Sequence, residues 1–547
     1  MTESQYDVVI IGGAYSGASA AILLKRAWPD LRVLLVESRP AFDRKVGEST
    51  SDVAGCFLTR VLRQHGHLIN HHLPKQGLRF WFTTPENIDP ARCSEMGTYY
   101  QVRLPTFQVD RSTLDEHLLA TAVAEGCQLW RPARVKGAQL GGLGANTLDI
   151  EYAGTTQSVR SKWVIDASGK AAFLARKMGS LRPLSSHPTN SMWVRFRGVK
   201  DLDTWESHQA LGTGSDVLRC PRMTATNHLT GRGWWCWIIP LKGGDLSAGL
   251  TWDTRLFSPP EGGSIGDRLK RHLCTDPIGR LMFVDAEAIE NDSRMYSQLP
   301  YFSEKVIGQG WAIIGDAAGF MDPLYSQGLD YCSHTAYTVH KLVGKSLSGH
   351  DVTADISAYE KNFQTSYQRW YQALYQDKYH YLGDADLMWA AFLLDLSTYF
   401  MGPVSLVYND TDFEFSRLPY YGPIGGFFAW GMRFYNRRLV AIAQKRWAAG
   451  TYGRNNLDRR FFIKQGFAPE PKMVRVLFKG LWAWLKLECQ ALFLRPASPR
   501  PAASPSGGLG QATVADLGKA GLIEHRPAPA ILDEPVSSSL IKTSKSA

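Results

Sequence analysis

An α/β fold, with an inserted β-sheet and a mostly α C-terminal lobe, is what this sequence predicts. Three observations carry the prediction. Near its start the chain runs from an apolar strand through a turn of small residues into a helix, over residues 6–24. Two more apolar strands end in small-residue turns far downstream, at 164–169 and 311–319. Beyond residue 350 the pattern becomes long, helical and rich in Tyr and Trp, as in Tyr367-Gln368-Arg369-Trp370-Tyr371.

The first unit is Rossmann-like. Tyr6-Asp7-Val8-Val9-Ile10-Ile11 reads as a buried strand, Gly12, Gly13, Ala14, Ser16 and Gly17 as the turn, and Ala18 to Leu24 as the helix. Small residues there let the backbone approach a pyrophosphate, which sits on the free N–H groups of the helix start. A second strand, 31–36, ends in Glu37, placed to accept ribose hydroxyls. Ala14 stands where the fingerprint has its middle glycine, so the phosphate is more crowded. The run Leu140-Gly141-Gly142-Leu143-Gly144 lies between strand patterns and reads as a hairpin turn, so no NADPH site is expected.

Further along the chain, Trp235-Cys236-Trp237-Ile238-Ile239-Pro240 alternates as a half-buried strand does, with Pro240 ending it. Taken alone it reads as core. It joins four other segments: Val46-Gly47-Glu48-Ser49-Thr50, Pro74-Lys75-Gln76-Gly77, Asp110-Arg111, and the run from Gly315-Asp316-Ala317-Ala318-Gly319 to Ser326-Gln327-Gly328-Leu329. In this order they resemble the flavin-dependent halogenases, whose W-x-W-x-I-P fingerprint the Trp235 segment matches. The resemblance is closer to the phenol and pyrrole type than to the tryptophan type. It implies FAD held by the turn and Glu37, by a strap at Gly47, Glu48 and Ser49 over the flavin ring, and by Arg111, Asp316 and Leu329. It also implies halide on the amides of Gln327 and Gly328, and Lys75 as the catalytic lysine. Trp235, Trp237 and Pro240 would separate flavin from substrate.

The chemistry implied is halogenation of an electron-rich aromatic ring. Reduced flavin and O2 give a flavin hydroperoxide, chloride or bromide attacks it, and hypohalous acid travels inward to Lys75. Lysine there acts either as an ammonium that polarises the acid or as an amine that forms a haloamine, since burial lowers a lysine pKa. With no NADPH site expected, FADH2 must come from a separate flavin reductase. Tryptophan halogenases carry an acid just before the Ser of the halide loop; here Tyr325 stands there, which points to a phenolic or polyketide-like substrate, free or carrier-tethered. The alternative is an FAD-dependent aromatic hydroxylase, which shares the fold.

Length and composition fit a large enzyme. The chain has 547 residues and is 44% hydrophobic, enough for a sizeable core and more than one lobe. The divisions expected are 1–350 for the FAD lobe with its inserted sheet, 351–495 for the helical lobe and 496–547 for a disordered tail rich in Pro, Ala, Ser and Gly. Eight scattered cysteines without C-x-x-C give neither a disulfide framework nor a zinc site, so no metal is expected. No signal peptide or long apolar span is read, and the location expected is cytoplasmic. The net charge of +10, concentrated late at residues such as Arg437, Arg438 and Lys445, reads as solvated helix faces or as a field for an acidic partner, not as nucleic-acid binding. The pattern over 474–494 suits a helix packed on the body or lying at a membrane interface, with packing and no membrane expected.

Overall fold

The strand Ser4–Ile11 lies in the middle of a sheet, which is why Val8, Val9 and Ile10 are buried on both faces. The computed structural model describes residues 4–213, 220–408, 415–464 and 469–495, so the expected tail at 496–547 lies outside the described residues. Parallel order in this first sheet is Trp311–Ile313, Thr155–Asp166, Ser4–Ile11, Val33–Val36, Gln128–Trp130. The chain leaves the first strand at Gly12, with φ +98°, and enters the helix Tyr15–Ala27. A Cβ on Gly12 would stand 2.5 Å from the carbonyl oxygen of Ala167, and one on Gly17 would overlap the carbonyl oxygen of Gly12. Turn, helix and the end of the strand Thr155–Asp166 pack too closely for side chains at either position. The 140–144 run is a hairpin turn, joining the antiparallel strands Ala133–Gln139 and Asn146–Tyr152.

The inserted sheet has nine strands. The strand Trp234–Pro240 lies inside it, antiparallel to Thr226–Gly231 on one side and to Leu246–Asp253 on the other. The period of two sorts its residues. Trp235, Trp237 and Ile239 face the core shared with the nucleotide lobe, whereas Cys236 and Ile238 face a separate core under the helices Ile265–Leu273 and Pro277–Phe283. Trp237 lies across Gly249, its register partner, where any Cβ would overlap the indole. The sheet therefore takes a glycine at 249 because it takes a tryptophan at 237.

Beyond residue 350 come the helices Thr353–Trp370, Ala385–Tyr399, Gly422–Ala448 and Met473–Leu492. One run, Ala385–Tyr408, is long and apolar enough to cross a membrane, but 72% of its apolar window is buried inside the chain, against elements that include the helix Met473–Leu492. The strand Arg460–Ile463 returns from this helical region to pair with Ser94–Thr98 at the edge of the inserted sheet. Four residues are too few to display a strand period in sequence. All described residues belong to one compact unit, Met1–Pro496.

Gly249→Val should lower stability by about 1–3 kcal/mol, the usual cost of overpacking a core. Urea unfolding checks this, and the double variant with Trp237→Ala should recover part of the loss. An unchanged midpoint for Gly249→Val would mean that Trp237 is not seated on residue 249.

Candidate active site

The nucleotide end assembles from parts scattered through the chain. Glu37, at the end of the second strand, is buried, and its carboxylate accepts the N–H of Gly13 at 2.9 Å and that of Arg39 at 2.9 Å. The Ala14 side chain provides no cap to the first helix, which leaves the helix-start amides facing outward. Ser16 packs under Gly315, whose φ is +59° and where a Cβ would overlap the Ser16 hydroxyl, so the loop carrying Asp316 closes on the nucleotide turn. Asp316 is shielded, its pKa raised by burial against the pull of Arg111 and Lys45, and its carboxylate has only the Cys332 thiol at 3.8 Å. Asp166, by contrast, caps its own turn through the amides of Ser168 and Leu174.

The strap crosses these parts. Gly47, at φ +95°, lies against Arg111, where a Cβ would sit 2.6 Å from Nη1. Arg111 is held by Asp115, which Lys45 also pairs at 2.5 Å. Glu48 is buried and paired with Arg195, which bonds Asp110 at 2.8 Å as well. Burial pushes the Glu48 carboxyl up to about 7 despite that guanidinium, and its Oε2 is buried without a partner. Ser49 bonds Thr226 of the inserted sheet at 3.0 Å. A turn that admits no side chain, outward helix-start amides, a shielded Asp316 and an orphaned carboxylate oxygen under the strap all fit FAD, which offers phosphates, ribityl hydroxyls and a ring N–H to such groups.

Lys75 sits where strap and halide loop meet. Its backbone is pinned on both sides, by N–H to Thr106 O at 2.8 Å and by Thr106 Oγ1 to its own carbonyl at 2.6 Å. Its buried Nζ donates to Thr50 O at 2.8 Å and reaches Ser326 Oγ at 3.5 Å. Burial lowers its pKa, while Asp52 and Asp330 oppose that shift. Burial in turn raises both carboxyl groups. Asp330 is held by Ser51 Oγ, the Ala54 amide and Tyr399 OH. Asp52 opens the short helix Asp52–Cys56, and its Oδ1 is buried without a partner.

The halide loop is strained. Tyr325 and Ser326 have φ of +70° and +61°, two successive side-chain-bearing residues in the left-handed region. Gln327 then caps the helix Gly328–Leu347, so the amides of Gln327, Gly328 and Leu329 form the positive end of a 20-residue helix and suit an anion. Two cavities meet there. One, of about 330 Å³, is bounded by Asp316, Phe320, Gln327, Gly328 and Trp370. The other, of about 660 Å³, is bounded by Asp52, Lys75, Tyr325, Gln327, Phe392 and Asp395. Gln327 belongs to both, and its side-chain carbonyl is fixed by Tyr375 OH at 2.8 Å and by Trp370 Nε1 at 2.5 Å.

Trp235 and Trp237 line neither of these cavities. Trp235 lies behind the wall of the larger one, with Phe80 and His228 between it and Phe392. Phe80 stacks on His228 at 4.4 Å and meets Phe392 at 5.4 Å, and His228 lies 5.5 Å from Trp235. Trp235 Nε1 donates to Tyr379 OH, which donates to Asp322 in the halide loop at 2.9 Å. Pro240 closes the strand at its far end. Sequence reading did not single out Asp52, Asp330 or Asp395. Asp395 accepts from Lys378 at 2.6 Å and from Tyr325 OH at 3.0 Å, so the tyrosine standing in the acid's place is itself held by a carboxylate. A Ser-Asp helix start directly after the strap was the available signal for Asp52, and Asp330 directly follows the Gln327-Gly328-Leu329 segment, whereas Asp395 sits in a helix with no motif.

A tryptophan halogenase family profile matches residues 86–389, more than half of the chain. Flavin-dependent halogenase chlA of Dictyostelium discoideum is 25% identical over 435 residues, which cover 73% of this chain and 70% of its own. Sulochrin halogenase gedL of Aspergillus terreus is 25% identical over 345 residues, covering 59% of this chain; this chain spans 60% of its length. Among solved structures, halogenase PltM in complex with phloroglucinol and FAD superposes with a TM-score of 0.68 at 17% identity, over 89% of this chain and 96% of that one, a likeness of fold. With the profile covering the sheet that holds the Trp235 strand and the loop that holds Gln327, this chain belongs to the flavin-dependent halogenase family.

Proposed function

We propose that this enzyme halogenates a phenolic or polyketide-like ring, with Lys75 presenting hypohalous acid and Asp52 removing the ring proton. The observation that carries the reading is that Lys75 and a carboxylate with an unpartnered oxygen line the same cavity of about 660 Å³. When bound, FADH2 would activate O2, which would supply the oxidising equivalents that turn halide into hypohalous acid. Everything else falls to the chain. Amides at Gln327 and Gly328 hold halide in the smaller cavity, and Gln327 lines both that cavity and the larger one.

Asp52 and Asp330 favour the ammonium form of Lys75, so a hydrogen-bonded hypohalous acid is the better reading than a haloamine. The halogen–oxygen bond breaks as the halogen bonds a ring carbon, and the oxygen leaves as water with a proton from Lys75. The ring C–H proton passes to Asp52 as its electron pair restores aromaticity. Return of that proton from Asp52 to Lys75 closes the cycle, so ring and hypohalous acid become haloarene and water. Tyr325 in place of an acid, and walls of Phe392, Leu374 and Leu396, favour a phenol that activates its own ring. The ring is proposed to arrive either free or at the end of a carrier arm. A separate flavin reductase is the proposed source of FADH2, supported by the hairpin at 140–144, and the cytoplasm is the proposed location.

Lys75→Ala should abolish ring halogenation while oxidation of supplied FADH2 continues. Mass spectrometry of resorcinols and phenols, free and carrier-tethered, with bromide and a flavin reductase, reads this; halogenation at the wild-type rate would remove Lys75 from catalysis. Asp52→Asn should slow product formation by roughly 10²-fold, the lower range for a lost general base. A ring C–D bond should then give a primary isotope effect absent from the wild type, and no isotope effect would dismiss Asp52 as the base. In the wild type, the rate should fall with rising pH well below the ordinary lysine value of about 10.4 as the ammonium is lost, and with falling pH from above the ordinary Asp value of about 3.9 as the carboxylate is lost. Asp52→Asn should remove the acidic limb.

A further inference from the structure

The helices Gly422–Ala448 and Met473–Leu492 pack on one another and on the body, yet each turns a second apolar stripe outward. On the first helix the stripe is Ile424, Phe427, Trp430 and Phe434, spaced at helical intervals; Phe427 is 67% and Trp430 65% exposed. On the second it is Val474, Phe478, Trp482 and Leu485, with Phe478 64% and Trp482 60% exposed. Phe434 meets the half-buried Trp484 of the second helix edge-on at 6.0 Å, so the first stripe abuts the helix that carries the second. The sequence expectation of a packed helix accounts for Met473, Val476, Gly480, Leu487 and Ala491, which are buried, and leaves the outer stripe unexplained.

Charge on this face is predominantly positive. The first helix holds no Asp or Glu in its 27 residues, and along the same outward direction its second half carries Arg437, Arg438 and Lys445. The second helix interleaves Arg475, Lys479 and Lys486 with its aromatic rings and has one acid, Glu488, ion-paired to Arg438 at 2.6 Å. Lys486 stands over the Trp482 ring. Exposed Trp and Phe beside Arg and Lys is the composition of a helix lying in an anionic lipid interface, rings among the acyl chains and cations at the headgroups.

We infer that this two-helix face seats the protein on an anionic membrane surface. A second copy is disfavoured, because a two-fold interface would set the same cations against each other. An acidic protein would satisfy the charge, but protruding rings with cations between them suit a fluid apolar layer better than a packed protein surface, whose interface cores are depleted of charge.

The test uses the full-length enzyme with sedimented vesicles of phosphatidylglycerol and phosphatidylcholine, and with vesicles of phosphatidylcholine alone. Binding to the anionic vesicles, weakened by salt and by omission of phosphatidylglycerol, is expected. The variant Phe427→Ser, Trp430→Ser, Phe478→Ser, Trp482→Ser should bind at least about tenfold more weakly while FAD content and turnover of a water-soluble phenol are unchanged. Failure of the wild type to bind anionic vesicles, or equal binding by the fourfold variant, overturns the inference. So does a dimer, seen by analytical ultracentrifugation, that the variant dissolves, or capture of an acidic carrier protein by this face without vesicle binding.

Discussion

The Lys75 ammonium, held in a buried site by the carbonyl of Thr50 and the hydroxyl of Ser326, is the interaction around which the two halves of the site are arranged. Thr50 belongs to the strap and Ser326 to the loop predicted to hold halide, segments separated by about half of the chain. A buried ammonium without acceptors would be neutralised or expelled. Each segment must therefore hold its position for the lysine to remain, and the lysine holds them together in return. Thr106 fixes the lysine backbone from a third direction, so little freedom is left at Nζ.

A second layer keeps that first layer still. Glu48 is tied to Arg195 of the inserted sheet, Arg195 to Asp110, and Asp110 caps the helix Arg111–Ala124 that presents Arg111 to the strap. Such a buried ion pair gives little net stability over an apolar replacement, while removing one partner would strand the other. Its value here is positional: the strap, the nucleotide lobe and the inserted sheet are locked in one register. The Trp235 strand acts in the same way through Tyr379 and Asp322, bracing the strained turn at Tyr325 and Ser326 from behind.

The nucleotide lobe was legible in sequence because its constraints are local: Gly12 and Gly17 stand where a Cβ cannot, and Glu37 follows at the end of the next strand. The alternation of Trp235 and Trp237 was equally legible as a strand. Their depth was not, since whether a strand face touches a cavity or the layer behind it depends on what packs upon it, here Phe80 and His228. The carboxylates around Lys75 were invisible for a related reason. Asp52 and Asp330 act on Lys75 from two helices and Asp395 holds Tyr325 from a third, a convergence that is a property of the tertiary fold, and a single acid in a helix carries no pattern.

That convergence decides what the larger cavity attracts. A lone buried ammonium would draw halide to itself and fill the place meant for the oxidant. In the proposed reading Asp52 and Asp330 partly offset the charge of Lys75, while the amides of Gln327 and Gly328 offer an anion the start of a helix whose first turn also holds Asp330. In that reading halide belongs to the smaller cavity. Hypohalous acid is neutral, loses nothing on leaving the helix end, and can be hydrogen-bonded by Lys75. In that reading the separation of halide from lysine follows from where the chain puts its charges, with Gln327 lining both cavities.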